Sequence, residues 1–229
     1  MPSATKKKPA VPAYLDSTQR ITEIALSACL VAKDATYNVR DFMQEGSKMA
    51  LLAVRDCEKE LDRIERQIDN ELPKAITEVS EDEARQLLAC FRFTIDLERI
   101  GDLTWSVAHR LEELTDELPR EDARDLVEMT NVIEKMLTQV HEGFLRHNLE
   151  LAQSVLQLDA EVDTACRAVF KRHLEASPQK SRPNSTSILL MAQAFERAGD
   201  HTKNLAEELF HLVRGESQLH ASKQRKRVE

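Results

Sequence analysis

A chain of 229 residues with a net charge of −8, 31% charged and 4% aromatic residues and only 5 glycines has the composition of long amphipathic helices, not of sheets. Its longest apolar stretches, around Met49–Val54 and Ile188–Ala192, fall far short of the roughly 20 residues that span a bilayer. The lysines near the N-terminus precede no apolar run, so no signal peptide is expected and the protein is placed in the cytoplasm.

The charge is unevenly spread. Lys6–Lys8 and Lys223–Arg227 make the ends basic, so the body is more acidic than the total, and an acidic body repels nucleic-acid phosphate. The tails are read as solvated. Cys29, Cys57, Cys90 and Cys166 have no C-x-x-C pairing and no histidine at metal-finger spacing, so they are read as small core residues.

In chain order, residues 1–15, with three prolines, form a lead-in. A first helix is predicted from Asp16 or Ser17 to about Met43, burying Ile21, Ile24, Ala28, Val31, Ala35 and Phe42. A second runs from near Ser47 to Leu72, where Pro73 breaks the pattern; Val54, Cys57, Leu61, Ile64 and Ile68 form its seam. Ser80-Glu81-Asp82-Glu83 fits a capping box. The third helix behind it carries Cys90, Phe93, Leu97, Ile100, Thr104, Val107, Leu111, Leu114 and Leu118, up to Pro119. Helices from about Glu121 to Arg146, through Leu151–Val169, and from Ile188 to Leu212 repeat the plan, with a polar loop at Pro178–Asn184. The expected fold is therefore all-α, two homologous three-helix bundles in pseudo-symmetric tandem: residues 16–118 and 119–214, with a basic tail at 215–229.

The repeat carries a chemical signature. Glu98-Arg99-Ile100-Gly101-Asp102 returns as Glu196-Arg197-Ala198-Gly199-Asp200. Each acid pair stands four apart on one helix face, where like charges repel, and the glycine between costs roughly another 1 kcal/mol against alanine. The same penalty twice in the same register implies function. On the preceding helices Glu58 and Asp62 match Asp159 and Asp163. A short connection makes each helix pair antiparallel, and the midpoint between Asp62 and Glu98 is Ser80, beside the turn. Each repeat is thus predicted to gather four carboxylates at one level. The seams place these acids outward, away from the core stripe.

Four clustered carboxylates repel unless a cation neutralises them, and all-oxygen ligands suit Mg²⁺, Mn²⁺, Ca²⁺ or iron. The glycines would let the neighbouring helix or the ions approach. Arg99 and Arg197 serve either to tie the acids down or to balance charge. Trp105, with Phe91 and Ile95, either offers apolar contact area to a partner or packs between the repeats.

An E/D-x-x-x-D pair on the second helix and E-R-x-G-D on the third, twice over from about Ser17 to Arg214, resembles the PhoU family. The resemblance implies a cytoplasmic regulator, not an enzyme, that restrains the phosphate-starvation response through a phosphate ABC transporter and a membrane sensor histidine kinase. It also implies metal clusters of iron, manganese, zinc or magnesium on Glu58, Asp62, Glu98, Asp102, Asp159, Asp163, Glu196 and Asp200, and a homodimer. The second motif continues His201-Thr202-Lys203-Asn204, close to the family run, whereas the first has Leu103 and Ser106 where histidine and asparagine are usual, so the two sites need not be equivalent. Three rivals stand beside this reading: service to a different phosphate carrier, a carboxylate-bridged di-metal enzyme, and a structural adaptor whose acids are merely solvated. The enzyme would need E-x-x-H motifs on two helices, and Glu208-x-x-His211 has no counterpart at Arg110–Glu113.

Overall fold

The computed structural model describes residues 13–175 and 184–214. These form six helices and no strand: α1 (Ala13–Glu45), α2 (Lys48–Ala75), α3 (Glu81–Glu112), α4 (Arg120–Arg146), α5 (Leu149–Leu174) and α6 (Ser185–Arg214). Both basic tails and nearly all of the 178–184 loop lie outside the described residues.

Local chemistry sets the ends. Gly46 at φ +64° turns the chain out of α1, a backbone that side chains resist, and Ser47 caps α2 by accepting from the Ala50 N–H. Ser80 accepts from the Glu83 N–H while the Glu83 carboxylate takes the Ser80 N–H at 2.9 Å, the predicted capping box. Asn148 does the same work for α5, accepting from Glu150 and Leu151 after His147 has turned at φ 51°.

Three boundaries differ from the sequence expectation. Helix α1 starts earlier, at Ala13. Pro73 does not end α2, which runs on to Ala75 and a 3-10 turn at Ile76–Glu78. The proline forfeits one N–H hydrogen bond, that to the Asp69 carbonyl, and the helix runs only two residues beyond it. Helix α3 stops at Glu112, six residues before Leu118, because the leucine spacing persists past the helix: Leu114 and Leu118 still pack on the core from irregular backbone.

Each repeat packs its three helices pairwise, and α1 also packs on α4 and α3 on α6, so one apolar core runs through both repeats. Helix α1 meets three neighbours and therefore buries Ala25, Cys29, Ala32 and Val39 in addition to Ile21, Ala28 and Ala35, while Ile24, Val31 and Phe42 lie at its edge. Small side chains let those helices approach closely. Phe93 of α3 and Phe144 of α4 cross the repeats with ring centroids 4.6 Å apart. Polar ties cross there too: Arg40 to Glu134 at 2.5 Å and to Asn131 at 2.7 Å, and Arg92 to Glu208 at 3.0 Å. Phe91 and Trp105 are half-buried against this core.

Candidate metal centre

The α2–α3 hairpin brings the first set of acids together in the expected register. Glu58 senses the charges of Asp102 and Asp62, and oxygens of Asp62, Glu65 and Glu98 lie within 4.8 Å of one another. Glu65 is an addition that sequence matching between repeats passes over, because the equivalent position on α5 is Cys166. Its signal was spacing: three residues after Asp62, it shares that face of α2. The close approach rests on Gly101, where an added β-carbon would stand 2.5 Å from Leu61 Cδ1. Glycine there admits α2, not open space for an ion.

Two of these acids, Glu98 and Asp159, are not outward. The Glu98 side chain is 15% exposed, and its Oε2 is buried without a hydrogen-bond partner; the nearest cationic atom, Arg99 Nε, is 3.6 Å away. Asp159 is buried, Asp200 is exposed, and the other six of the eight predicted residues are intermediate. The single-helix stripe misjudged Glu98 and Asp159 because the α2 and α5 flanks cover what each third helix turns away from the centre. Burial, then the adjacent Asp102 charge, pushes the Glu98 carboxyl up to about 7. Burial and neighbouring carboxylates likewise raise Glu58, Glu65, Glu196 and Asp200. Such a set pays in repulsion for every proton it loses, and a cation relieves it. The donor set and the orphaned Glu98 oxygen fit a hard metal ion.

The second hairpin has the same register but different chemistry. Glu196 feels Asp200, Asp163 and Asp159, yet Lys203 Nζ lies 2.6 Å from Asp159 Oδ2. Gly199 is looser than Gly101: a β-carbon there would sit 3.3 Å from Val162 Cγ1 and 3.6 Å from Asp159 Oδ1. Cys166 stands beside Glu196 and Asp163, its thiol pushed up to about 11 by burial and then by those charges.

His201 and Asn204 do not join the acids. Both turn to α3, His201 Nδ1 lying 2.7 Å from Asp96 Oδ1 and the Asn204 amide donating to the same oxygen at 3.4 Å. Position 194, which matches Asp96, is alanine. With Leu103 and Ser106 at the matching positions, the first motif lacks the groups that make this contact.

A duplicated three-helix unit with facing carboxylates on its second and third helices defines a tandem helical protein that presents two acidic clusters. The chain belongs to the PhoU domain family, whose family model matches residues 26–111 and again 126–209. It is 30% identical over 207 residues to a phosphate-specific transport system accessory protein PhoU homolog of Pseudomonas aeruginosa, covering 87% of this chain and 84% of that one. A homolog of the same description from Rhizobium meliloti is 28% identical over 86% of this chain and 84% of its own length. Among solved structures, PhoU from P. aeruginosa superposes with a TM-score of 0.80 at 24% identity, covering 89% of this chain and all of that one. The phosphate transport system regulatory protein PhoU from Streptococcus pneumoniae gives 0.81 at 19% identity, covering 89% and 98%. At those identities the structures establish the fold.

Proposed function

We propose that the chain is a cytoplasmic, metal-binding regulator of phosphate uptake and phosphate-starvation signalling. It acts by recognition, with no reaction of its own. Its partners in this reading are subunits of a phosphate ABC transporter, a membrane sensor histidine kinase and a second copy of itself. Similarity to proteins named phosphate-specific transport system accessory proteins, over most of both chains, favours that transporter over other phosphate carriers. Among the described residues no helix is long and apolar enough to cross a membrane, which suits a partner that meets the transporter from one side.

The observation that carries the metal part is the Asp62–Glu65–Glu98 triad with its buried, unpartnered Glu98 oxygen. Asp62, Glu65 and Glu98, with Glu58 and Asp102 flanking, would hold the ion. The bound ion supplies positive charge that cancels their repulsion and fixes α2 against α3. Phosphate itself is repelled by such a surface, so phosphate status reaches the chain through its partners.

Elemental analysis of protein purified without chelator or affinity metal tests this, beside the Asp102→Ala/Asp200→Ala double variant. Bound iron, manganese or zinc that falls in the variant at unchanged helicity is the expected result. It should be joined by co-purification with transporter and kinase and by loss of repression in a deletion strain. Metal-free protein that cannot be loaded would sink the metal mechanism; normal repression without the chain would sink the regulatory one.

A further inference from the structure

The two clusters carry unequal charge. Around the first stand five carboxylates, Glu58, Asp62, Glu65, Glu98 and Asp102. Its basic neighbours are Lys59, Arg66 and Arg99; Lys59 is exposed, and the two arginine side chains are 72% and 55% exposed. Pairs on such solvated arms are weak and readily exchanged. The second cluster has four, since Cys166 replaces Glu65; Arg167 and Arg197 match Arg66 and Arg99, and Lys203 Nζ adds a cation 2.6 Å from Asp159 Oδ2, on a carboxylate only 8% exposed. The matching residue of α3 is Trp105, which brings no charge.

We propose that Lys203 is a built-in counter-cation that keeps the second cluster weak for metal, leaving Asp62, Glu65 and Glu98 as the tight site. The inference rests on the metal reading above and deepens it. An ammonium on a buried carboxylate does electrostatically what a metal would do: it removes the repulsion among Asp159, Asp163, Glu196 and Asp200 and occupies a ligand oxygen. A metal entering there must displace Lys203 from a buried carboxylate, whereas one entering the first cluster displaces only exposed side chains. The ligands differ as well, because Cys166 offers a soft sulfur where Glu65 offers a hard carboxylate oxygen.

The test is Mn²⁺ titration of the full chain, with free Mn²⁺ read by electron paramagnetic resonance. Four proteins are compared: wild type, Glu65→Gln/Glu98→Gln, Asp163→Asn and Lys203→Met. The tight uptake of wild type should vanish in the glutamine variant and stay within about twofold in Asp163→Asn. Lys203→Met should gain a second uptake step at least tenfold tighter than any second step of wild type. Equal losses in the glutamine and Asp163→Asn proteins, or a Lys203→Met curve identical to wild type, would overturn the inference while leaving metal binding intact. No uptake by wild type or Lys203→Met would overturn the metal reading itself, and this with it. If circular dichroism shows Lys203→Met unfolded, the other two variants decide alone, since neither touches Lys203.

Discussion

Leu61 Cδ1 lies 2.5 Å from where a β-carbon on Gly101 would stand, while the equivalent point on Gly199 is 3.3 Å from Val162. Alanine at either position gains roughly 1 kcal/mol of helix propensity. At 101 that gain is outweighed, because Leu61 is itself buried and moving it costs about 1–3 kcal/mol. Gly101→Ala should therefore lower the urea midpoint, and Gly199→Ala should leave it unchanged or raise it.

Glu98 gives the metal-stripped protein an unusual pH dependence. Its folded carboxyl titrates at about 7, above the unfolded value, so the native state holds the extra proton and its stabilisation is present at low pH. As pH rises from about 5 to 7.5 that contribution is lost, on the order of 1 kcal/mol after solvent screening. Denaturation midpoints of wild type minus those of Glu98→Gln should fall across this window. A flat difference would refute the buried, repelled carboxylate.

At the far end of the second repeat, Arg172 forks between Asp122, fully buried, and Asp125, and His173 Nε2 lies 3.1 Å from the other Asp122 oxygen. Arg172→Ala strands a buried charge and should cost about 3 kcal/mol by chemical denaturation. Lysine should rescue little, since a single ammonium cannot reproduce the fork.

The Asp96–His201 contact joins the repeats within a turn of both acid motifs. A double-mutant cycle with Asp96→Ala and His201→Ala should return a coupling of about 1 kcal/mol, and the Asn204→Ala single variant less. A coupling near zero would make the 2.7 Å contact energetically idle.

The register of the clusters was legible because two constraints meet: a helical period on each side and a short turn capped at Ser80. Together they fix Asp62 against Glu98 and Glu58 against Asp102 without any knowledge of the core. Exposure was not legible. A stripe on one helix says which residues are most buried, not how many neighbours cover its flanks, so Asp159 and Glu98 were read as facing outward. Glu65 escaped because requiring a match in both repeats discards whatever one repeat alone has. Lys203 stood in the sequence only as one residue of the run after the second motif. Its role depends on which carboxylate lies opposite, and that is set by the packing of α5 on α6.

The Asp96 latch has a consequence for the history of the chain. Its acceptor sits in one copy and its two donors in the other. A protein made of two first repeats would set Asp96 against leucine and serine; one made of two second repeats would set histidine and asparagine against alanine. Neither half is any longer a spare for its sibling. The duplication has become a partnership of specialists, in which one copy can be improved only so far as the other will still hold it.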